Sequence, residues 1–110
     1  MAWSIEVAPD SGRVLVTFRG HLAAEDGRAS AQAFHDALAT GPRDVVWDLR
    51  EMADYEGEAR AAWQKALWPV RKNVKSLAVV GARPLIRFGA VFLASLIGAP
   101  WRLLKSMEEL

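Results

Sequence analysis

The chain has 110 residues, 52% of them hydrophobic and 25% charged, with no cysteine and a formal net charge of +1. That length suits one domain, residues 1–110, burying a single core without staples, and the missing cysteines exclude disulfide frameworks, thiol catalysis and thiolate zinc sites. The near-neutral sum hides a polarity: residues 1–59 carry 5 Lys/Arg against 11 Asp/Glu, and residues 60–110 carry 9 against 2.

Trp3, Ile5 and Val7 alternate with polar neighbours, Pro9-Asp10-Ser11-Gly12 supplies turn chemistry, and Val14, Val16 and Phe18 resume the alternation. The pattern predicts a β-hairpin whose second strand ends at Gly20 and His21. From Ala24 to Leu38 the apolar residues Ala29, Ala33, Phe34, Ala37 and Leu38 recur at helical spacing before Gly41-Pro42 stops the segment. Ala23 stands at the N-cap, where serine or threonine is better by about 1 kcal/mol. Val45-Val46-Trp47, between Asp44 and Leu49, reads as a strand covered on both faces, followed by an acidic loop.

Ala59, Ala62, Trp63, Ala66, Leu67, Val70 and Val74 trace a helical stripe, with Pro69 predicting a kink or a restart. Leu77–Val80 reads as a second buried strand. Pro84 opens a third helix that Gly98-Ala99-Pro100 closes. Trp101–Lys105 fits a final edge strand, and Ser106 with Glu109 fits a capping box that starts a short last helix. The expected fold class is α/β: a four- to five-stranded mixed sheet in the order β-β-α-β-α-β-α-β-(α), largely parallel, with the hairpin as an antiparallel edge.

In this order the stretches Phe18-Arg19-Gly20-His21-Leu22 with Glu25-Asp26, Val45-Val46-Trp47-Asp48-Leu49, Asp54-Tyr55-Glu56-Gly57 and Leu77-Ala78-Val79-Val80-Gly81 resemble a STAS domain. The likeness is to the SpoIIAA-like (anti-sigma-factor-antagonist) branch, whose fold is similar to lipid-carrying CRAL-TRIO domains. It implies a non-enzymatic, cytoplasmic, bacterial signalling module that binds a regulatory kinase-like or sigma-regulatory protein. Signalling members carry Asp-Ser-Ser-Gly where this chain has Asp54-Tyr55-Glu56-Gly57, so the resemblance puts Glu56 in place of the phosphorylated serine. Ser and Thr are absent from Leu49 to Lys75, and one carboxylate matches only part of the −1.5 to −2 or so of a phosphoserine.

Other chemistry has little foothold. His21 and His35 are the only histidines and lack metal-ligand spacing; no serine lies in Gly-x-Ser-x-Gly, and neither Gly-x-Gly-x-x-Gly nor a Walker motif occurs. The expectation is no catalytic residue, no metal site and no cofactor, Mg²⁺ through Asp48 and Asp54 being too unspecific to assign. The acidic cluster around Asp48, Arg50, Glu51 and Asp54 falls after a strand and before a helix, the crevice where α/β sheets bind ligands, or it is a solvated loop that complements the helix dipole. The partner-binding residues expected there are Asp54, Tyr55, Glu56, Gly57 and Glu58.

The third helix, Leu85–Ile97, is apolar over more than one face. Beyond the sheet, what covers it is a homodimer partner, a neighbouring helix, an apolar ligand or a membrane surface. The alternative function is therefore apolar-ligand (lipid) or membrane-surface binding, with contacts from Trp68, Arg87, Phe88, Phe92, Leu96 and Trp101 lining a cavity or meeting anionic headgroups. That places the protein in the cytoplasm or peripherally at the membrane. The sequence pI of 8.2 falls short of a nucleic-acid-binding signature. If the fold keeps the acidic and basic halves apart, the domain shows opposite charges to different partners.

Overall fold

The computed structural model describes residues 2–110. Its elements are β1 (Trp3–Val7), β2 (Val14–Leu22), α1 (Ala24–Leu38), β3 (Arg43–Tyr55), α2 (Gly57–Val70), β4 (Val74–Val80), α3 (Pro84–Ile97) and β5 (Trp101–Leu104). Short 3₁₀ turns follow α2 at Arg71–Asn73 and β5 at Met107–Glu109. The five strands lie in the sheet in chain order, β1 antiparallel to β2 and every later pair parallel.

That order decides where the helices go. Each of α1, α2 and α3 links a parallel strand to the next one in the same direction across the sheet, and such crossovers are right-handed. Repeating one hand in one direction puts every helix on the same face. The core shows it: Val14, Val16, Phe18, Val45, Trp47, Leu77 and Val79 share one cluster with Phe34 and Leu38 of α1, Trp63 and Leu67 of α2, and Ile86 and Leu93 of α3. The alternate strand residues Val46, Ala78 and Val80 form a second, smaller cluster, against which the half-buried Leu15, Leu104 and the C-terminal Met107 and Leu110 pack. No strand order reverses among the parallel strands, so the sheet has no topological switch point at the acidic cluster.

Local differences have local causes. β3 is 13 residues long and runs on past Leu49, because Glu51–Tyr55, read as loop, pairs with Arg19–Leu22 of β2. α2 ends one residue past Pro69 instead of running to Val74, which begins β4. Proline 69 lacks the N–H for the last turns, and the chain tightens into 3₁₀ geometry. The capping box at Ser106 exists, with Glu109 Oε2 accepting the Ser106 N–H at 2.9 Å, but it closes a 3₁₀ turn and not an α-helix.

α1 and α2 touch closely. A Cβ added at Gly27 would run into the Cα and Cβ of Ala59. One turn further on, the Trp63 indole N–H donates to Ser30 Oγ at 3.0 Å, and Ser30 donates to the Gly27 carbonyl at 3.1 Å. The Trp63 ring lies 4.7 Å from Phe34, 5.6 Å from Phe18 and 5.8 Å from Trp47, tilted or edge-on to each. Gly27→Ala gains about 1 kcal/mol of helix propensity but forces overpacking worth about 1–3 kcal/mol. The expected net result is a loss of up to about 2 kcal/mol in urea unfolding, with the m-value unchanged; a variant more stable than the parent would show that the helices separate freely.

Candidate functional site

The site begins where β2 and β3 end together. The parallel register runs Thr17 opposite Asp48, then Arg19 opposite Glu51, Gly20 opposite Met52 and His21 opposite Asp54. β3 thus carries an extra residue at each of two bulges, and bulges re-aim side chains. Gly20, at φ +65° in the left-handed region, takes the turn between them. The outcome is that His21, exposed at the strand end, faces the acidic turn.

His21 Nδ1 lies 2.6 Å from Asp54 Oδ1, and Nε2 lies 3.2 Å from Glu56 Oε2. A neutral imidazole donates from only one nitrogen, so two facing carboxylates favour the imidazolium. The His21 pKa is accordingly raised, first by the bond to Asp54 and then by the bond to Glu56. Glu56 is lowered, first by the Ala24 backbone N–H and then by His21.

The bond to Ala24 answers a question raised by the sequence. Ala23, the N-cap of α1, has no side-chain oxygen for the helix. Glu56 Oε1 supplies it from the other turn, accepting the Ala24 N–H at 2.9 Å. The Glu56 backbone N–H donates to the Leu22 carbonyl at 3.0 Å, and the Glu56 carbonyl accepts the Ala59 N–H at 3.0 Å to start α2. One residue therefore closes a strand pair, opens one helix and caps another.

Of the five residues expected to meet a partner, Asp54, Glu56, Gly57 and Glu58 are exposed and Tyr55 is half-buried. They form one edge, at the N-termini of both helices; Glu58 is 3.7 Å from Arg28 of α1. Asp54 and Tyr55 belong to β3, so the loop expected there shrinks to Glu56. Asp48, grouped with Asp54 by sequence, lies elsewhere: it is buried and paired with Arg50 at 2.8 Å, which lowers its pKa chiefly through that side-chain bond. His21 was the residue sequence reasoning missed. Its signal was parallel strand alignment, which brings the strand end at 21 beside the acids 33 and 35 positions later.

The residues expected to contact a ligand or membrane separate. Phe88 is 82% exposed, Phe92 42% and Leu85 71%, one stripe along α3, with Arg87 beside them. Leu96 is half-buried, Trp101 is exposed on edge strand β5, and Trp68, exposed on α2, has Arg71 stacked on its ring at 3.7 Å. None of the six lines the apolar cavity of about 60 Å³ between the sheet, α2 and α3. Its walls are core residues such as Phe18, Trp47, Met52, Trp63 and Leu93, with Tyr55 and Arg60. Arg87, Phe88 and Phe92 are exposed on α3 because Ile86, Gly89, Ala90 and Leu93 take its inward positions, whereas Leu96 packs against the core. Among the described residues no helix is long and apolar enough to cross a membrane.

The SpoIIAA-like family model matches residues 13–109. The chain belongs to the SpoIIAA-like family. An uncharacterized protein with a SpoIIAA-like fold from Shewanella loihica PV-4 is similar over 98% of this chain and 88% of its own, with 18% identity and a TM-score of 0.73. The Bacillus cell fate determinant SpoIIAA in its phosphorylated form covers 98% and 95%, with 15% identity and a TM-score of 0.71. The anti-sigma factor antagonist SpoIIAA in its unphosphorylated form covers 98% and 92%, with 13% identity and a TM-score of 0.68. At these identities the likeness is one of fold. No curated protein matches in sequence.

The pKa directions set a pH dependence. His21, raised on folding, stabilises the fold fully below its ordinary value of about 6.5 and loses that contribution as pH rises through the raised value. Glu56, lowered on folding, stabilises above its ordinary range near 4.5 and loses that contribution as pH falls through the lowered value. Both act between those two ordinary values. NMR titration of the His21 ring is expected to give a midpoint above 6.5, reduced more by Asp54→Asn than by Glu56→Gln. A wild-type midpoint at or below 6.5 would contradict the bridge.

Proposed function

We propose that this chain is a non-enzymatic regulatory module of the STAS type, acting in the cytoplasm, that meets a protein partner through the edge Asp54-Tyr55-Glu56-Gly57-Glu58. The observation that carries it is the restraint on Glu56. An exposed carboxylate is held by His21 and by the α1 backbone at the adjoining N-termini of two helices, so little ordering is left to be done on binding. The related SpoIIAA is an anti-sigma factor antagonist solved in phosphorylated and unphosphorylated forms. Here Glu56 stands for the serine of that motif, and a fixed charge replaces a switched one.

Because Glu56 also caps α1, its alanine variant mixes binding with stability. Glu58, exposed and holding only the long contact to Arg28, is the cleaner probe. With the partner isolated on the parent domain, Glu58→Lys is expected to weaken binding about tenfold, mostly through the on-rate and the salt dependence, and Phe88→Ser to leave it unchanged. The reverse pattern in calorimetry moves the interface to α3.

That second surface supports an alternative role at an apolar ligand or an anionic membrane surface. Leu85, Phe88 and Phe92 expose an apolar stripe with Arg83 and Arg87 next to it, the composition of an interfacial contact. Flotation with anionic vesicles, lost in Phe88→Ser, is the expected result for this role. Absence of flotation together with concentration-dependent sedimentation makes the stripe a homodimer face instead.

A further inference from the structure

α3 leaves Leu85, Phe88 and Phe92 exposed at spacings of three and four residues, so they form one ridge along the helix. The cations beside that ridge are unpaired. Arg83 and Arg87 are exposed at its N-terminal end, and Arg60 of α2 stacks over the Phe92 ring at 5.4 Å. No Asp or Glu occurs from Ala59 to Met107, and among the described residues none of these three arginines forms an ion pair.

The acidic edge adjoins this shoulder. Tyr55, between Asp54 and Glu56 in the chain, rests its hydroxyl where a Cβ on Gly89 would stand, one residue past Phe88. Asp54, Glu56 and Glu58 are exposed on that edge, with Glu25 and Asp26 in the first turn of α1. Their contacts to His21 and Arg28 stay within the edge and leave carboxylates in excess of cations. An anionic surface laid on the ridge would meet these acids as well, and like charges at close range oppose contact. A second copy meets no such obstacle, because a surface with opposite charges on its two sides matches itself after half a turn.

We propose that the chain associates with a second copy of itself through this surface, as a two-fold dimer. Arg83 and Arg87 of one copy face Asp54, Glu56 and Glu58 of the other, and Leu85 and Phe88 of both copies are enclosed between them. The apolar ridge supplies affinity, and the charges set the register. Three apolar side chains with exposed ion pairs make a small interface, so the dimer is weak and the edge is open at low concentration. The contact goes beyond the role of the edge toward another protein and does not rest on it.

Sedimentation equilibrium of the full chain from about 10 µM to about 1 mM is expected to give a mass rising from one chain toward two, with the dissociation constant raised about tenfold between roughly 50 mM and 500 mM salt. Arg87→Glu and Glu58→Lys should each weaken association about tenfold, since a two-fold contact counts every substitution twice. Both side chains are exposed, so the fold is retained. Mixed in equal amounts, the two variants again oppose unlike charges at both contacts, and association should return to near the parent level. A parent chain that stays a monomer up to about 1 mM at low salt overturns the proposal, and flotation of that monomer with anionic vesicles gives the ridge to a membrane instead. A dimer whose mixed variants associate no better than either alone overturns it too, leaving the ridge without its charge pairing. Unchanged binding of another protein by Glu58→Lys would count against the partner role of the edge and leave this result standing.

Discussion

The close approach of α1 to α2 at Gly27 and Ala59 is the constraint on which most of this molecule depends. Because only the Ala59 methyl stands between the helices there, their N-termini lie near enough for Glu56, the residue before α2, to reach the first free N–H of α1. One turn along, the same approach lets Trp63 of α2 bond to Ser30 of α1. That bond holds the indole at the meeting point of Phe18, Phe34 and Trp47, where the two helices and the central strands share their largest apolar surfaces. The turn at one end and the core beneath it thus respond to a single distance.

The sheet order has a second consequence. With all three crossovers on one face, α1 packs over β1 and β2, and α3 packs on β3, β4 and α2 through inward residues of which three, Gly89, Ala90 and Ala94, are small. Small residues allow close approach but do not fill space, so an apolar cavity persists beneath α3 while Leu85, Phe88 and Phe92 face outward. The unusual hydrophobicity of this helix is explained only in part by burial. Its exposed stripe is surface that a simple core helix would have made polar.

Where punctuation was local, the sequence was readable. α1 and α3 have their expected bounds because Gly41-Pro42, Pro84 and Gly98 mark helix ends by backbone geometry alone. The family could be read from short motifs in order, which survive when identity to solved relatives is 13–18%. Arg50–Tyr55 was not readable as strand, since Arg-Glu-Met-Ala-Asp-Tyr alternates weakly and becomes extended only by pairing with β2. The same non-local pairing concealed His21. The cavity was invisible for a related reason: its lining comes from β2, β3, α2 and α3, with no motif of its own.

The uneven charge of the two halves also reads differently in three dimensions. Parallel strands place all their C-terminal ends at one end of the sheet, so the acids from Glu51 to Glu58 and the cations Arg83 and Arg87 that follow β4 come to the same end. Arg71, Lys72 and Lys75, between α2 and the start of β4, lie at the opposite end. The chain therefore presents no simple acidic and basic faces. Its functional end carries a preorganised acidic edge at α1 and α2 and a basic, apolar shoulder at α3, with Tyr55 between them, belonging to the edge by sequence and to the cavity wall by position.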